Sequence, residues 1–273
     1  MKLAPFFLAT LVALPLAQQE GRELQYEQGT VQVDNDLATM QLPDQWNYLQ
    51  ASDARYVLED LFGNPPDKTV VGMASPPSEV EGEFPTWFVV VSVQNDGHVD
   101  DEDAASIDYS ELLEGMQESA DAHADELEAQ GYESARILGW AEAPHYDSAE
   151  KKLYWAKRIQ FSQTEGETLN YDVRVLGREG VLILTAVADP VQLSEVSNGC
   201  KELLAGTAFV EGKRYEDYDP STDRLAAYGI GGLIAGKVLG KVGLFAKLAK
   251  FGKFIVVGVV AGFVFLKKKL SGK

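Results

Sequence analysis

Three neighbouring residues, His145, Tyr146 and Asp147, place an imidazole, a phenol and a carboxylate in one tripeptide. These are the side-chain types of proton transfer and of polar ligand binding. They follow Pro144, and residues 144–147 read as a hairpin turn, where neighbouring side chains splay apart. The expectation is a ligand-binding tip at His145, Tyr146 and Asp147; that spacing does not support a catalytic triad, and no catalytic residue is assigned. The remaining histidines, His98 and His123, belong to other elements. No histidine has a second one four residues on, and no His-Glu-x-x-His pattern occurs, so no metal site is expected. Cys200, the single cysteine, excludes an intrachain disulfide. It lies on the apolar stripe of a predicted helix, which makes it a small buried hydrophobe. Nucleophile elbows and glycine-rich phosphate loops are absent from the sequence, and no cofactor is expected.

Two acidic clusters, 96–103 and 217–223, concentrate oxygen ligands. Aligning Gly97 with the invariant glycine of an EF-hand puts Ser92 and Gln94 where acids are needed. The second cluster lacks both a turn glycine and a downstream bidentate acid. Both read as solvated loops, the first ahead of a helix N-terminus; a looser calcium site is the alternative. Tyr154, Trp155, Phe161 and Tyr171 fall on adjacent predicted strands and read as cross-strand packing. The rival reading of these aromatics is a groove for an apolar ligand.

The elements that must hold these groups follow from periodicity. Residues 30–33 and 37–42 alternate with period two around Asp34-Asn35-Asp36, a hairpin signal, and Pro43 to Trp46 break the second strand. Residues 53–62, capped by Ser52, read as a helix with Ala54, Val57, Leu58, Leu61 and Phe62 on one stripe. Residues 84–93 are apolar on both faces, as in a central strand. Asp108 and Glu111 resemble a capping box for a helix that carries Leu112, Met116, Ala120, His123 and Leu127 on one face and ends near Gly131. Strands follow at 136–143, 152–161, 169–176 and 181–188. Asp189-Pro190 then starts a helix with Leu193, Val196, Cys200, Leu203 and Leu204 inward, and a last strand covers 207–211. Short connections dominate, so the expected fold class is α+β: a mostly antiparallel sheet with helices packed on it, an α-β-α sandwich, plus a C-terminal transmembrane helix.

Charge divides the chain. Residues 18–224 hold all 42 acidic residues and 14 of the 24 basic ones. Such a body repels phosphates, which excludes nucleic acid as a partner. Residues 225–273 have no Asp, Glu, Pro or His but nine lysines. Within them Phe254 to Leu266 lack any polar side chain, and Lys267, Lys268 and Lys269 follow. As a helix this run is only about 20 Å long against a hydrocarbon core of roughly 30 Å, so a full span must begin near residue 248. The anchor is placed at 248–266, with Phe254, Val257, Val260, Phe263 and Leu266 in lipid. Residues 225–247 form a glycine- and lysine-rich helical neck in which Gly232, Gly236 and Gly240 are spaced for close helix packing; whether it too inserts is left open. Residues 1–17 read as a signal peptide, 18–28 as a linker, 29–212 as the exported domain, 213–224 as an acidic connector and 267–273 as a basic cytoplasmic tail.

Several segments together resemble an uncharacterised bacterial family of predicted membrane-anchored proteins with a domain of unknown function. They are 139–147 (Gly-Trp-Ala-Glu-Ala-Pro-His-Tyr-Asp), 152–157 (Lys-Leu-Tyr-Trp-Ala-Lys), 169–177 (Leu-Asn-Tyr-Asp-Val-Arg-Val-Leu-Gly), 218–223 (Tyr-Asp-Pro-Ser-Thr-Asp) and 227–237. The resemblance implies an exported domain with a C-terminal anchor and brings no functional residues with it. The element order is loosely similar to Mog1/PsbP-like domains, which include extrinsic and membrane-tethered envelope proteins. The expected function is therefore non-catalytic binding or scaffolding by a single-pass protein of the bacterial inner membrane. Its domain would be periplasmic or extracellular and its C-terminus cytoplasmic. Its partners would be the membrane and, as open alternatives, other envelope proteins or a second copy through the anchor. The competing expectations are an envelope hydrolase whose site the sequence does not display, and a carrier of an apolar ligand.

Overall fold

Residues 22–78 and 84–235 are described by the computed structural model, and two antiparallel sheets run through them. Their strands are β1 (Tyr26–Glu27), β2 (Thr30–Val33), β3 (Ala38–Gln41), β4 (Asn47–Gln50), β5 (Val70–Ser75), β6 (Phe88–Gln94), β7 (Ala135–Asp147), β8 (Lys152–Phe161), β9 (Thr168–Leu176), β10 (Val181–Ala188) and β11 (Thr207–Phe209). The larger sheet has the order β1-β4-β5-β6-β10-β9-β8-β7 and the smaller the order β11-β3-β2. The helices are α1 (Ala51–Arg55), α2 (Tyr109–Ala129), α3 (Leu193–Ala205) and α4 (Ile230–Ala235). The α+β class with a mostly antiparallel sheet and packed helices is what the sequence led us to expect.

Burial explains which strands were legible. The β2–β3 hairpin alternates, with Val31, Val33, Ala38 and Met40 inward. β8, β9 and β10 pair in the register that their apolar runs suggest. By contrast β4 and β5 were not foreseen. All six residues of β5 are buried, so no alternation marks it, and it contains Gly72. That glycine is required: a Cβ there would lie 1.9 Å from the Tyr48 hydroxyl of neighbouring β4. β1 falls inside the stretch read as a linker and extends the sheet by pairing Tyr26 with Leu49.

Side chains that alternate across the large sheet enter two layers. On one face Val89, Val91, Tyr171, Leu182 and Leu184 meet the small sheet and the stripe Val196, Cys200, Leu203 and Leu204 of α3. On the other, Leu153, Trp155 and Ile183 lie under Leu112 and Met116 of α2 and Ile230 and Leu233 of α4. Beside them Leu49, Met73, Phe88 and Val90 pack on Ala54, Val57 and Leu58. Each fully buried aliphatic or aromatic side chain contributes about 1.5–3 kcal/mol.

Two helices depart from expectation. The helix expected over 53–62 is α1 followed by a π-helical turn, Tyr56–Leu61, in which the Phe62 N–H donates to the Val57 carbonyl five residues back. Ser52 does not cap it; the N-cap position is Gln50, and the Ser52 hydroxyl instead accepts from Arg22. In α2 the Asp108 carboxylate accepts from the N–H groups of Ser110 and Glu111, as a capping residue should. The buried stripe stops at Ala120, however, and leaves His123 half-buried against the Ser119 carbonyl.

Candidate functional site

A cleft of about 480 Å³ opens where the ends of both sheets meet. One wall is the β2–β3 turn, where Asp34, Asn35 and Asp36 hold left-handed φ angles of 46°, 50° and 66°. Asp and Asn tolerate that region best after glycine, which accounts for their presence in succession. The floor comes from the β9–β10 turn and the loop after β6. There Gly97, at φ 111°, has no room for a side chain, because a Cβ would lie 2.5 Å from the Arg224 carbonyl. Lys213 and Arg224 close the other wall, with Phe209, Leu37 and Val181 as apolar surface.

That second wall belongs to a strap, 213–235, laid across the domain. Residues 213–224, read as a connector, and 225–235, read as the first part of the neck, pack on the body. Arg178 grips Asp223 through two hydrogen bonds, at 2.7 and 2.9 Å. His98, 7% exposed, pairs through its backbone with Arg224 and Ala226. Its ring is stacked on Tyr218 at 3.9 Å and tilted against Tyr215 at 4.2 Å. The acidic loop supplies the fastenings: Asp96 accepts from the Tyr228 hydroxyl, and the Asp103 carboxylate accepts from the N–H groups of Ile230 and Gly231 at the start of α4. Asp101 accepts from Tyr146, Lys151 and Tyr215. Burial disfavours its charge, but these donors outweigh that and hold its carboxyl below the usual carboxylate range. The loop read as solvated is therefore committed to the strap. Gly232 is buried in α4, and a Cβ there would lie 2.6 Å from Tyr228 Cβ, so its smallness serves a contact within this chain.

The tripeptide singled out first is not a hairpin tip. His145, Tyr146 and Asp147 end β7, opposite Tyr154, Leu153 and Lys152, and the turn comes after them. Strand alternation puts His145 and Asp147 on one face of β7 and Tyr146 on the other. His145 stacks on Tyr154 at 4.9 Å and faces Glu142 at 3.6 Å. Tyr146 donates to Asp101, while Asp147 accepts from the turn N–H groups of Ala149 and Glu150. Tyr146 is thus parted from His145 and Asp147, which share the outer face of the strand end. The four aromatics are also divided: Tyr154 and Tyr171 enter the core under α3, Trp155 the core under α2, and Phe161 a small cluster at the sheet end. They line no shared groove. Burial pushes the Cys200 thiol up to about 12, consistent with a packing role.

On the α2 face a charged row lies inside the sheet. Asp172, 2% exposed, accepts from Thr185 Oγ1 at 2.9 Å and Arg174 Nη2 at 3.2 Å. Lys157 Nζ stands 3.1 Å from its other oxygen, close enough for an ion pair but not aligned as a hydrogen bond. Arg174 lies 4.7 Å over the Trp155 ring. Burial opposes the Asp172 charge, yet the Lys157 and Arg174 cations hold its carboxyl low. Among the described residues no group of three or more His, Cys, Asp or Glu side chains is placed to hold a metal ion.

Fold and cleft together define an α+β domain with a polar, charged cleft lined in part by the strap. The chain belongs to the family described as a protein of unknown function, DUF2167, whose model matches residues 25–264. No curated protein matches it in sequence. Among solved structures it is similar to the solution structure of cyanobacterial PsbP (CyanoP) from Synechocystis sp. PCC 6803. Identity is 10%, coverage is 76% of this chain and 100% of that one, and the TM-score is 0.37. No helix of the described residues is long and apolar enough to cross a membrane. The expected signal peptide, Gly236, Gly240 and the anchor residues Phe254 to Lys269 lie outside the described residues.

Sequence reasoning missed the cleft and the strap. A usable signal existed for the strap: unstructured acidic connectors are poor in aromatics, whereas this one carries Tyr215 and Tyr218, with Tyr228 close behind.

Proposed function

We propose that this protein is a single-pass, membrane-anchored component of the bacterial cell envelope. Its domain, outside the cytoplasm, binds or scaffolds other envelope components and does no catalysis. Residues 1–17 direct export, 248–266 span the inner membrane, and Lys267, Lys268 and Lys269 stay on the cytoplasmic side. The observation that carries this reading is that Lys213 and Arg224, which wall the cleft, lie on the strap that leads into the apolar tail. Because Arg178, His98 and Asp103 fasten that strap, the cleft residues it carries are held on the body of the domain. A cleft with a fastened wall suits a scaffold.

The test uses the full-length protein in its own membrane. A photo-crosslinking amino acid replaces Asn35 in the cleft or, as control, Glu118 on the exposed face of α2. Added protease should cut the domain in intact spheroplasts. Crosslinks to one envelope component should form from position 35 and not from 118, and should weaken when Asp223→Ala unfastens the strap. A domain protected from protease, or equal crosslinking from both positions, would overturn the reading.

A further inference from the structure

The cleft is polarised. On the β2–β3 turn neither Asp34 nor Asp36 has an ion-pair partner among the described residues. In the same lining, Arg224 donates to the Asn95 carbonyl at 2.7 Å and has no carboxylate partner among the described residues. Lys213 reaches Glu179 at 3.0 Å, but both side chains are about half exposed, at 45% and 52%. An exposed pair of this kind contributes little and exchanges partners at small cost. Basic side chains are scarce in this acidic body, yet Arg178, Lys213 and Arg224 all line this one cleft. A cleft lined by the unpaired carboxylates Asp34 and Asp36 together with Arg224 and the exchangeable Lys213–Glu179 pair disfavours a ligand of either single sign and favours one that carries both. Its size, about 480 Å³, falls in the roughly 300–1,000 Å³ range of small-ligand sites. Phe209 and Leu37 offer apolar surface between the walls.

We propose that the cleft takes a short zwitterionic peptide, its ammonium group against Asp34 and Asp36 and its carboxylate against Lys213 and Arg224. This rests on the reading of the cleft as the binding surface and gives that surface a ligand class. The walls read charge, and the apolar patch accepts small side chains with little discrimination. A doubly capped peptide, a phosphate or a lipid headgroup of one sign would leave one wall unpaired.

Calorimetric titration of the full-length protein in nanodiscs tests this with trialanine and three capped forms: N-acetylated, C-amidated and doubly capped. Trialanine should bind, and removal of either terminal charge should weaken binding about tenfold or more, as expected for losing a hydrogen bond to a charged group. The variant combining Asp34→Asn with Asp36→Asn should weaken trialanine to the level of the N-acetyl form and leave that form unchanged, with an unaltered melting temperature as the check on folding. Binding of the doubly capped peptide as tight as trialanine would overturn the proposal, as would binding by none of the four. If none binds while position 35 still crosslinks to its partner in membranes, the ligand class is wrong and the scaffold reading stands. If those crosslinks are absent too, both fall.

Discussion

Asp172 is the most consequential single residue for stability, because its charge is the counter-ion of two buried cations. Removing a carboxylate from such a row leaves Lys157 and Arg174 uncompensated in a low-dielectric setting. Asp172→Asn is therefore expected to lower unfolding free energy by about 3–5 kcal/mol, read by urea denaturation of the purified protein. Replacing all three charged residues with apolar ones of similar volume should recover most of that loss. A single variant within about 0.5 kcal/mol of wild type would show that the row is hydrated and worth little. At this scale the sequence was least informative. Lys157, Asp172 and Arg174 are unremarkable polar residues in β-rich segments, and nothing local says that β8 and β9 turn them to one buried face.

The strap is the element whose behaviour follows most directly from its contacts. His98 is faced by the Tyr215 and Tyr218 rings, the Arg178 carbonyl, the Asp100, Asp101 and Asp223 carboxylates and, beyond Tyr215, the Lys151 ammonium. Burial lowers the His98 pKa, and the carbonyl and carboxylates only partly oppose it. A histidine pKa lowered in the folded state means that the unfolded strap binds the proton more readily. The stabilising contribution is then complete above the unfolded value of about 6.5 and is lost as pH falls below it. Asp223, held low by Arg178, and Asp101, held low by Lys151 and Tyr146 against burial, give way only in stronger acid. Amide exchange across 213–235 is therefore expected to be faster relative to the body at pH 5.5 than at pH 7.5. A His98→Phe variant should lose that difference, and identical relative protection at both pH values in the wild type would refute it. The strap also explains why the packing of 225–235 on the body was not foreseen. A short charge-free helix such as α4 packs on many surfaces, and only the positions of Asp103 and α2 select this one.

For the whole molecule, the division between an acidic body and a basic apolar tail makes a prediction about partitioning. If 248–266 is the anchor, the full chain should sediment with membranes and resist high-salt extraction. A chain ending at Ala235 should be exported soluble with its strap intact, since the fastenings described all lie before that residue. Sedimentation of both forms with membranes would shift the attachment from the tail to the body. Fold class, the β2–β3 hairpin, the run from β8 to β10 and the inward stripe of α3 were legible, because each rests on periodicity within one segment. β4 and β5 were not, because β4 is four residues with polar ends and β5 is interrupted by Gly72, so neither shows a period or the long apolar run that marked β6.

The sequence by itself determined where charge and apolar residues fall along the chain, which segments are amphipathic, and that Cys200 and Leu203 share an inward face. Those properties are local and need no knowledge of neighbours. Only the tertiary structure decided that Tyr146 turns away from His145 and Asp147, that the acidic loop is spent on holding the strap, and that Asp34 faces a cleft also lined by Lys213 and Arg224. Pairings between residues a hundred or more positions apart depend on sheet order and on how loops close. Neither residue type nor spacing encodes these, because the same local pattern fits many arrangements until the core selects one.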